Sequence, residues 1–360
     1  MQDRPSNGSR FVVLDGMRGV AALMVMVMHT ALIFPMASLA VDLFFGLSGF
    51  VLAHGYGDRL GSWRERRDFV VARLIRLEPL WLIGCAMSVP AGIGMAYFGW
   101  ADWGWTMLSV SILTAPFFII LPYFGTAIPL NPPGWSLTFE LIANAVLVFV
   151  GARTRPALVL IALAGPPLAG AIWWWDGGDT TGMFALWACL SRVIFSFFLG
   201  VLLQRCWVNG WLPKPSLPAL PILVAVALLC GLPPVDKRLY LLLGVFLFCP
   251  MLLWFGAGAV ARGRLARFCA WMGDISYGVY VLHVPLVFTT EGLRFLWAGA
   301  KVDGYVQTGA MGWAVFPLTI LLAHLLTRHV DRPARAWLTR RWLDGGAPKP
   351  TPASQPGLLL

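Results

Sequence analysis

The chain has 360 residues, of which 58% are hydrophobic and 12% charged, and its mean hydropathy is +0.73. A charged fraction about half the ~25% usual in soluble domains excludes a water-soluble globule and leaves an all-α, polytopic transmembrane helix bundle. The formal charge of +10 is therefore read by location rather than as a nucleic-acid signal, because the basic residues fall in short loops between apolar runs, as cytoplasmic loops do.

Residues 1–10 are polar and carry Arg4 and Arg10, which places the N-terminus in the cytoplasm. The first span is expected at 14–34. Ser38-Leu39-Ala40 after it resembles a signal-peptidase site, but the run is longer than an h-region and contains Arg18 and His29, so it reads as an uncleaved helix. On that helix, eleven steps of ~100° and ~1.5 Å bring His29 back to within about 20° of Arg18 and about 16 Å along the axis. One face thus carries a cation near one surface and an imidazole about halfway through the bilayer. An ionisable group at that depth is costly unless it faces a polar cavity or is hydrogen-bonded inside the bundle.

A second span, 39–55, returns across the membrane with Asp42 at its outer start. Residues 57–79 hold Arg59, Arg64, Arg66, Arg67, Arg73 and Arg76, the densest cationic run, and lead into a third span at 70–99. Residues 107–124 are apolar enough to cross, yet crossing would export the loops holding Arg153, Arg155, Arg262, Arg264 and Arg267 and the arginine-rich C-terminus. Pro116 and Pro122 fit a re-entrant or interfacial segment instead. Further spans at 135–151, 157–174, 184–203, 216–232, 239–258, 274–290 and 311–327 give about ten, with both termini cytoplasmic. Of 27 Lys and Arg, only Lys237, Arg238, Arg294 and Lys301 then lie outside, and Arg192 lies within a span. Residues 1–344 read as one membrane-embedded domain, and 345–360 as a Pro-rich tail without globular content. The six cysteines are scattered singly with no CxxC or Cys/His ligand spacing, so neither a metal site nor a disulfide framework is expected.

Several blocks carry more than composition. LDGMRGVAALMVMVMH, VDLFFGLSGFVL, RRDFVVARLIRLEPL, NPPGWSLTFE, MGDISYGVYVLHVPL and VDRPAR follow in order over nearly the whole chain. Together they resemble the acyltransferase 3 family of integral membrane acyltransferases, which modify hydroxyls of bacterial surface polysaccharides and related acceptors with groups taken from acyl-CoA. The resemblance implies acyl-CoA, most readily acetyl-CoA, as co-substrate and no metal. It implies a carbohydrate or lipid-linked glycan as acceptor, the bacterial inner membrane as location, and the lipid bilayer rather than nucleic acid as surroundings.

Arg18-x10-His29 matches the family's Arg/Lys-x10-His motif, whose histidine is the proposed catalytic base. Transfer from a thioester to an alcohol needs a group of near-neutral pKa to take the hydroxyl proton; a covalent acyl-imidazole is the alternative. Arg18 would bind donor phosphate or carbonyl, or else is an interfacial snorkelling arginine. Arg73 and Arg76 match the family's Arg-x-x-Arg. Three residues apart on a helix they share a face, and two guanidinium forks suit the pyrophosphate and ribose phosphate of CoA, unless the pair is only a topology signal.

Asp42 would orient His29 or bind an acceptor hydroxyl, or is a plain helix N-terminal charge. Ser48 in GLSGF is not a G-x-S-x-G elbow, because the second glycine comes one place early; a small-residue packing seam is the better reading. Trp135-Ser136-Leu137-Thr138-Phe139-Glu140 matches the family's Trp-Ser-Leu-x-x-Glu, which makes Trp135 and Ser136 candidate substrate contacts. Glu140 would face the cavity, binding acceptor or setting His29's protonation, or would pair with Arg192. Leu141-Ile142-Ala143-Asn144 stands where the family often has a second acid and aromatics, which implies a different acceptor specificity. Ser276, Tyr280 and His283 recur at i, i+4 and i+7 as one polar stripe, followed by Pro285; Tyr280 and His283 would line the cavity or form an interhelical seam. His54, His324 and His329 lie at helix ends and read as interfacial.

These features point to a membrane-bound O-acyltransferase with His29, Glu140 and Asp42 at its chemistry and Arg18, Arg73 and Arg76 on the donor. A transporter for a small anion or sugar precursor would use the same charges, though no paired discontinuous helices appear. A non-catalytic scaffold is the remaining rival.

Overall fold

A computed structural model describes residues 11–31, 34–57, 59–99, 104–121, 128–174, 186–298 and 310–343. The expectations for the N-terminus at 1–10, the tail at 345–360, the end of the 107–124 segment, Lys301 and the side chain of Arg294 lie outside the described residues.

Among the described residues the fold is helical, with no strand beyond an isolated bridge between Pro218 and Val260. Its elements are α1 (Val12–Ala31), α2 (Leu39–Tyr56), α3 (Trp63–Phe98), α4 (Trp105–Thr114), α5 (Trp135–Val150), α6 (Thr154–Trp174) and α7 (Leu186–Asn209). They continue with α8 (Ala219–Gly231), α9 (Lys237–Leu243), α10 (Cys249–Gly258), α11 (Gly263–Ala298), α12 (Ala310–Leu326) and α13 (Arg332–Trp342). A π-helical turn joins α9 to α10 at Gly244–Phe248, and another joins α12 to α13 at Thr327–Asp331.

Among the described residues, eight stretches are long and apolar enough to cross a membrane: α1, α2, α3, Pro132–Val150, α6, α7, Lys237–Gly258 and Gly312–Trp342. The expected span at 216–232 falls on α8, whose 13 residues rise only about 20 Å against a hydrocarbon core of about 30 Å. The expected span at 274–290 lies inside α11, which at 36 residues is long enough but carries the polar stripe. Helix α4 has 10 residues, about 15 Å, too short to cross; the indole of Trp81 donates to Ala115 O at 2.8 Å and stacks on Phe118, which ties this segment to α3. Large apolar side chains such as Phe149, Leu163, Leu220 and Leu321 point outward, the reverse of a water-facing surface.

Helix α1 is the hub, packed against α11, α8, α2, α12 and α10. Small residues let it approach α11 closely: a Cβ on Gly16 would lie 2.7 Å from Cys269 Sγ, and Gly19 and Gly273 abut Met272 and Asp15. The contacts 16 to 269, 19 to 272 and 29 to 283 advance together, so α1 and α11 run parallel. Helix α3 also runs parallel to α11, through Leu77 with Tyr277, Gly84 with Val281 and Met87 with Thr289. A capping box between Ser62 and Glu65 starts α3, and Gly99 in the left-handed region (φ 64°) ends it. Between α2 and α7, a Cβ on Gly49 would run into the Phe197 carbonyl and one on Gly200 into the Gly46 carbonyl, so neither fits. These contacts set the register that builds the site.

Candidate active site

The α1 and α11 register brings together the two histidines that lie deepest. His283 Nε2 is 3.0 Å from His29 Nδ1, with ring centroids 5.1 Å apart and planes inclined by 31°. The other His283 nitrogen, Nδ1, lies 3.0 Å from Val279 O one turn back on α11, and His283 is fully buried. The Ser276, Tyr280 and His283 stripe is thus divided: its last member meets α1, while the first two line a cavity.

That cavity has a volume of about 100 Å³. Arg18 of α1, Ser48 of α2, Arg73 and Arg76 of α3, Ser136 and Glu140 of α5, and Ser276, Tyr277 and Tyr280 of α11 supply its polar wall. Glu140 Oε1 accepts from Ser48 Oγ at 2.6 Å and from Arg73 Nη2 at 3.1 Å, so the carboxylate and one arginine of the expected pair are partners. The sequence offered Arg192 as a structural partner for Glu140; the structure gives it Arg73 instead. Tyr280 OH is 2.8 Å from Ser136 Oγ and 3.0 Å from Pro133 O, which fastens the wall to the start of α5. The Tyr280 ring lies 6.0 Å from the His283 ring and edge-on to Phe44 at 5.6 Å. His29 is not among the residues that line the cavity; Tyr280 lines it and has its ring 6.0 Å from that of His283.

Arg76 stacks over the Tyr277 ring at 5.3 Å and reaches Asp331 at 4.0 Å, while Arg335 closes on Asp331 at 2.7 Å. Asp331 is fully buried and sits at the end of the second π-helical turn, a local irregularity common where a side chain must be re-aimed. In the sequence VDRPAR stands out only as a block of resemblance, with no role for its aspartate or second arginine. Both hold the cationic mouth in place.

Three expectations meet different surroundings. Asp42 is not brought to His29: its carboxylate is taken by Arg192, with contacts of 2.5 to 3.0 Å, and by Ser196 Oγ at 3.1 Å. Both members of that pair are buried, so the charge of Asp42 is spent on α7 rather than on the site. Trp135 is packed in the core edge-on to Phe139 and does not line the cavity, although its neighbour Ser136 does. Ser48 belongs to the cavity, while only the flanking glycines form the packing seam. The signal was present in the helical angle, because Ser48 lies about 200° from Gly46 and shares a face with Val41, Phe45 and Leu52.

The α11 backbone at this level is pinned by a side chain to which the sequence motifs assign no role. Pro285 has no N–H, so the carbonyl of Val281 lacks its helical donor; Asn131 Nδ2 donates to it at 2.8 Å. Tyr277 OH donates to Leu77 O at 2.6 Å, a second tie between α11 and α3. Among the described residues no three His, Cys, Asp or Glu side chains converge as a metal site would need.

A family model described as an acyltransferase domain matches residues 11–328. A Rhizobium radiobacter protein, named protein 2 in picA locus, is 38% identical over 173 residues, covering 43% of this chain and 90% of that protein. The peptidoglycan O-acetyltransferase OatA of Listeria monocytogenes is 23% identical over 366 residues, covering 89% of this chain. The chain spans only about half, 55%, of that second relative. No solved structure matches the chain significantly.

Proposed function

Because the chain belongs to the acyltransferase 3 family, and is thus an integral, multi-pass membrane acyltransferase, we propose that it moves an acetyl group from acetyl-CoA to a hydroxyl of a carbohydrate or lipid-linked glycan. The acetyl group and the glycan class draw support from the Listeria relative, whose name gives it peptidoglycan as acceptor. The positive-inside distribution supports both termini lying in the cytoplasm, and the bacterial relatives support the inner membrane as location.

The observation that carries the reading is the convergence of Arg18, Arg73 and Arg76 on one cavity whose Tyr280 wall adjoins the His29 and His283 pair. Guanidinium forks bind phosphate oxygens of the donor at the mouth, and the thioester reaches past Tyr280 to His29. There His29 takes the proton of the acceptor hydroxyl as its oxygen attacks the thioester carbonyl. The carbon–sulfur bond breaks, the ester forms, and the leaving thiolate takes the proton back from the imidazolium. Ser136, Glu140 and Tyr280 line the cavity along which the donor reaches that point. Asp42 has no part in this scheme.

Purified full-length protein in nanodiscs, given acetyl-CoA with and without a glycan acceptor, should release free thiol and acetylate the acceptor. Acceptor acetylation that persists undiminished in His29→Ala would overturn the mechanism.

A further inference from the structure

We propose that His283 is a positioning residue that fixes the tautomer of His29, so that the nitrogen which accepts the hydroxyl proton is Nε2. This rests on His29 being the base.

The polarity of the contact is set by the backbone. Val279 O carries no proton, so the 3.0 Å contact to His283 Nδ1 requires the hydrogen on Nδ1. A neutral imidazole carries one N–H, and Nε2 of His283 is therefore an acceptor. The atom 3.0 Å from it is His29 Nδ1, which must be the donor; the Val25 carbonyl, one turn back on α1, is a second acceptor beside the His29 ring. With its hydrogen on Nδ1, His29 has its lone pair on Nε2, on the far side of the ring from His283. The opposite arrangement would set a bare His283 nitrogen against a carbonyl oxygen, acceptor against acceptor, inside a site closed to water.

The Val279 carbonyl imposes this polarity whatever the pair does, and it is the polarity a base at His29 Nε2 requires. When Nε2 takes the proton, the imidazolium already donates through Nδ1 to a neutral acceptor. The device has the logic of the orienting carboxylate in a Ser-His-Asp triad, with no anion to desolvate at mid-bilayer depth. The support of His283 is correspondingly rigid. Asn131 replaces the N–H that Pro285 lacks and holds Val281 O, while Gly84 brings the α3 backbone against the same carbonyl. The segment from Val279 to Pro285, which carries the acceptor nitrogen, is thereby fixed from two sides.

Two measurements on the full chain in nanodiscs test the assignment. In histidine-labelled protein, two-bond proton–nitrogen correlation spectra, assigned by difference from His29→Ala, should show His29 protonated at Nδ1 and bare at Nε2. In His283→Leu, where only the Val25 carbonyl is left beside the ring, the His29 preference for the Nδ1–H tautomer should weaken measurably. In the second measurement, the glutamine of His283→Gln places an amide oxygen near the position of Nε2 and can still accept, so kcat should stay within about tenfold of wild type. The shorter amide of His283→Asn reaches only the Val279 carbonyl, so kcat should fall by about 10²-fold or more with the KM for acetyl-CoA unchanged. A wild-type spectrum with His29 bare at Nδ1, or a His283→Asn enzyme with wild-type kcat, overturns the proposal. The spectrum needs no turnover, so it decides the tautomer even if His29→Ala transfers normally and the base reading itself fails.

Discussion

Arg192 of α7 grips Asp42 of α2 through both carboxylate oxygens, joining residues 150 positions apart in two helices whose glycines already touch. Each charge is buried, so each depends on the other for its solvation. Asp42→Ala is expected to destabilise the folded protein by about 3–5 kcal/mol, because it strands a buried guanidinium. The double replacement Asp42→Leu with Arg192→Met should recover most of that loss. Thermal unfolding in detergent measures both. A double variant that is stable yet inactive would show that the carboxylate serves the chemistry after all.

For His29 the expectation separates activity from stability. His29→Ala should lower acetyl transfer by about 10² to 10⁴-fold, the range of a lost general base, with the protein still folded and its stability reduced by only about 1–3 kcal/mol for the donor that His283 Nε2 loses. The thiol-release assay and a thermal scan on the same preparation check it.

Arg73 is expected to act on donor affinity. Arg73→Gln removes a charge-assisted hydrogen bond worth about 1.5–3 kcal/mol, so the KM for acetyl-CoA should rise about 10- to 100-fold. Arg73→Lys should not rescue it fully, since an ammonium cannot present a planar fork while also holding Glu140. A KM unchanged in both variants, by initial-rate titration, would remove Arg73 from the donor site.

Asn131 and Pro285 should show coupled effects. Asn131→Leu leaves Val281 O without a donor at a cost of about 1–3 kcal/mol. Adding Pro285→Ala restores a helical N–H to that carbonyl, so the double variant should be less impaired than Asn131→Leu alone. A double-mutant cycle on unfolding temperature reads the coupling.

Helical periodicity makes part of the site legible in the sequence. Arg18 with His29, Arg73 with Arg76, and Ser276 with Tyr280 and His283 are each positioned by one helix, and angle alone assigns them a common face. What periodicity does not carry is register between helices. Glu140 finds Arg73 across 67 residues and Asp42 finds Arg192 across 150, and both pairings follow from how deeply glycines let backbones approach. The role of Asn131 is hidden for the same reason, although the missing N–H of Pro285 announces that some donor has to be found. Span length is a different limit: α8 is as apolar as its neighbours, but 13 residues are too few to reach across unaided.

Tyr280 belongs to the cavity wall, and among the described residues no histidine does. On the proposed reading, water that shares the outer chamber with an arriving thioester meets cations and a carboxylate but no activating nitrogen. Idle hydrolysis of the donor within that chamber is thereby discouraged.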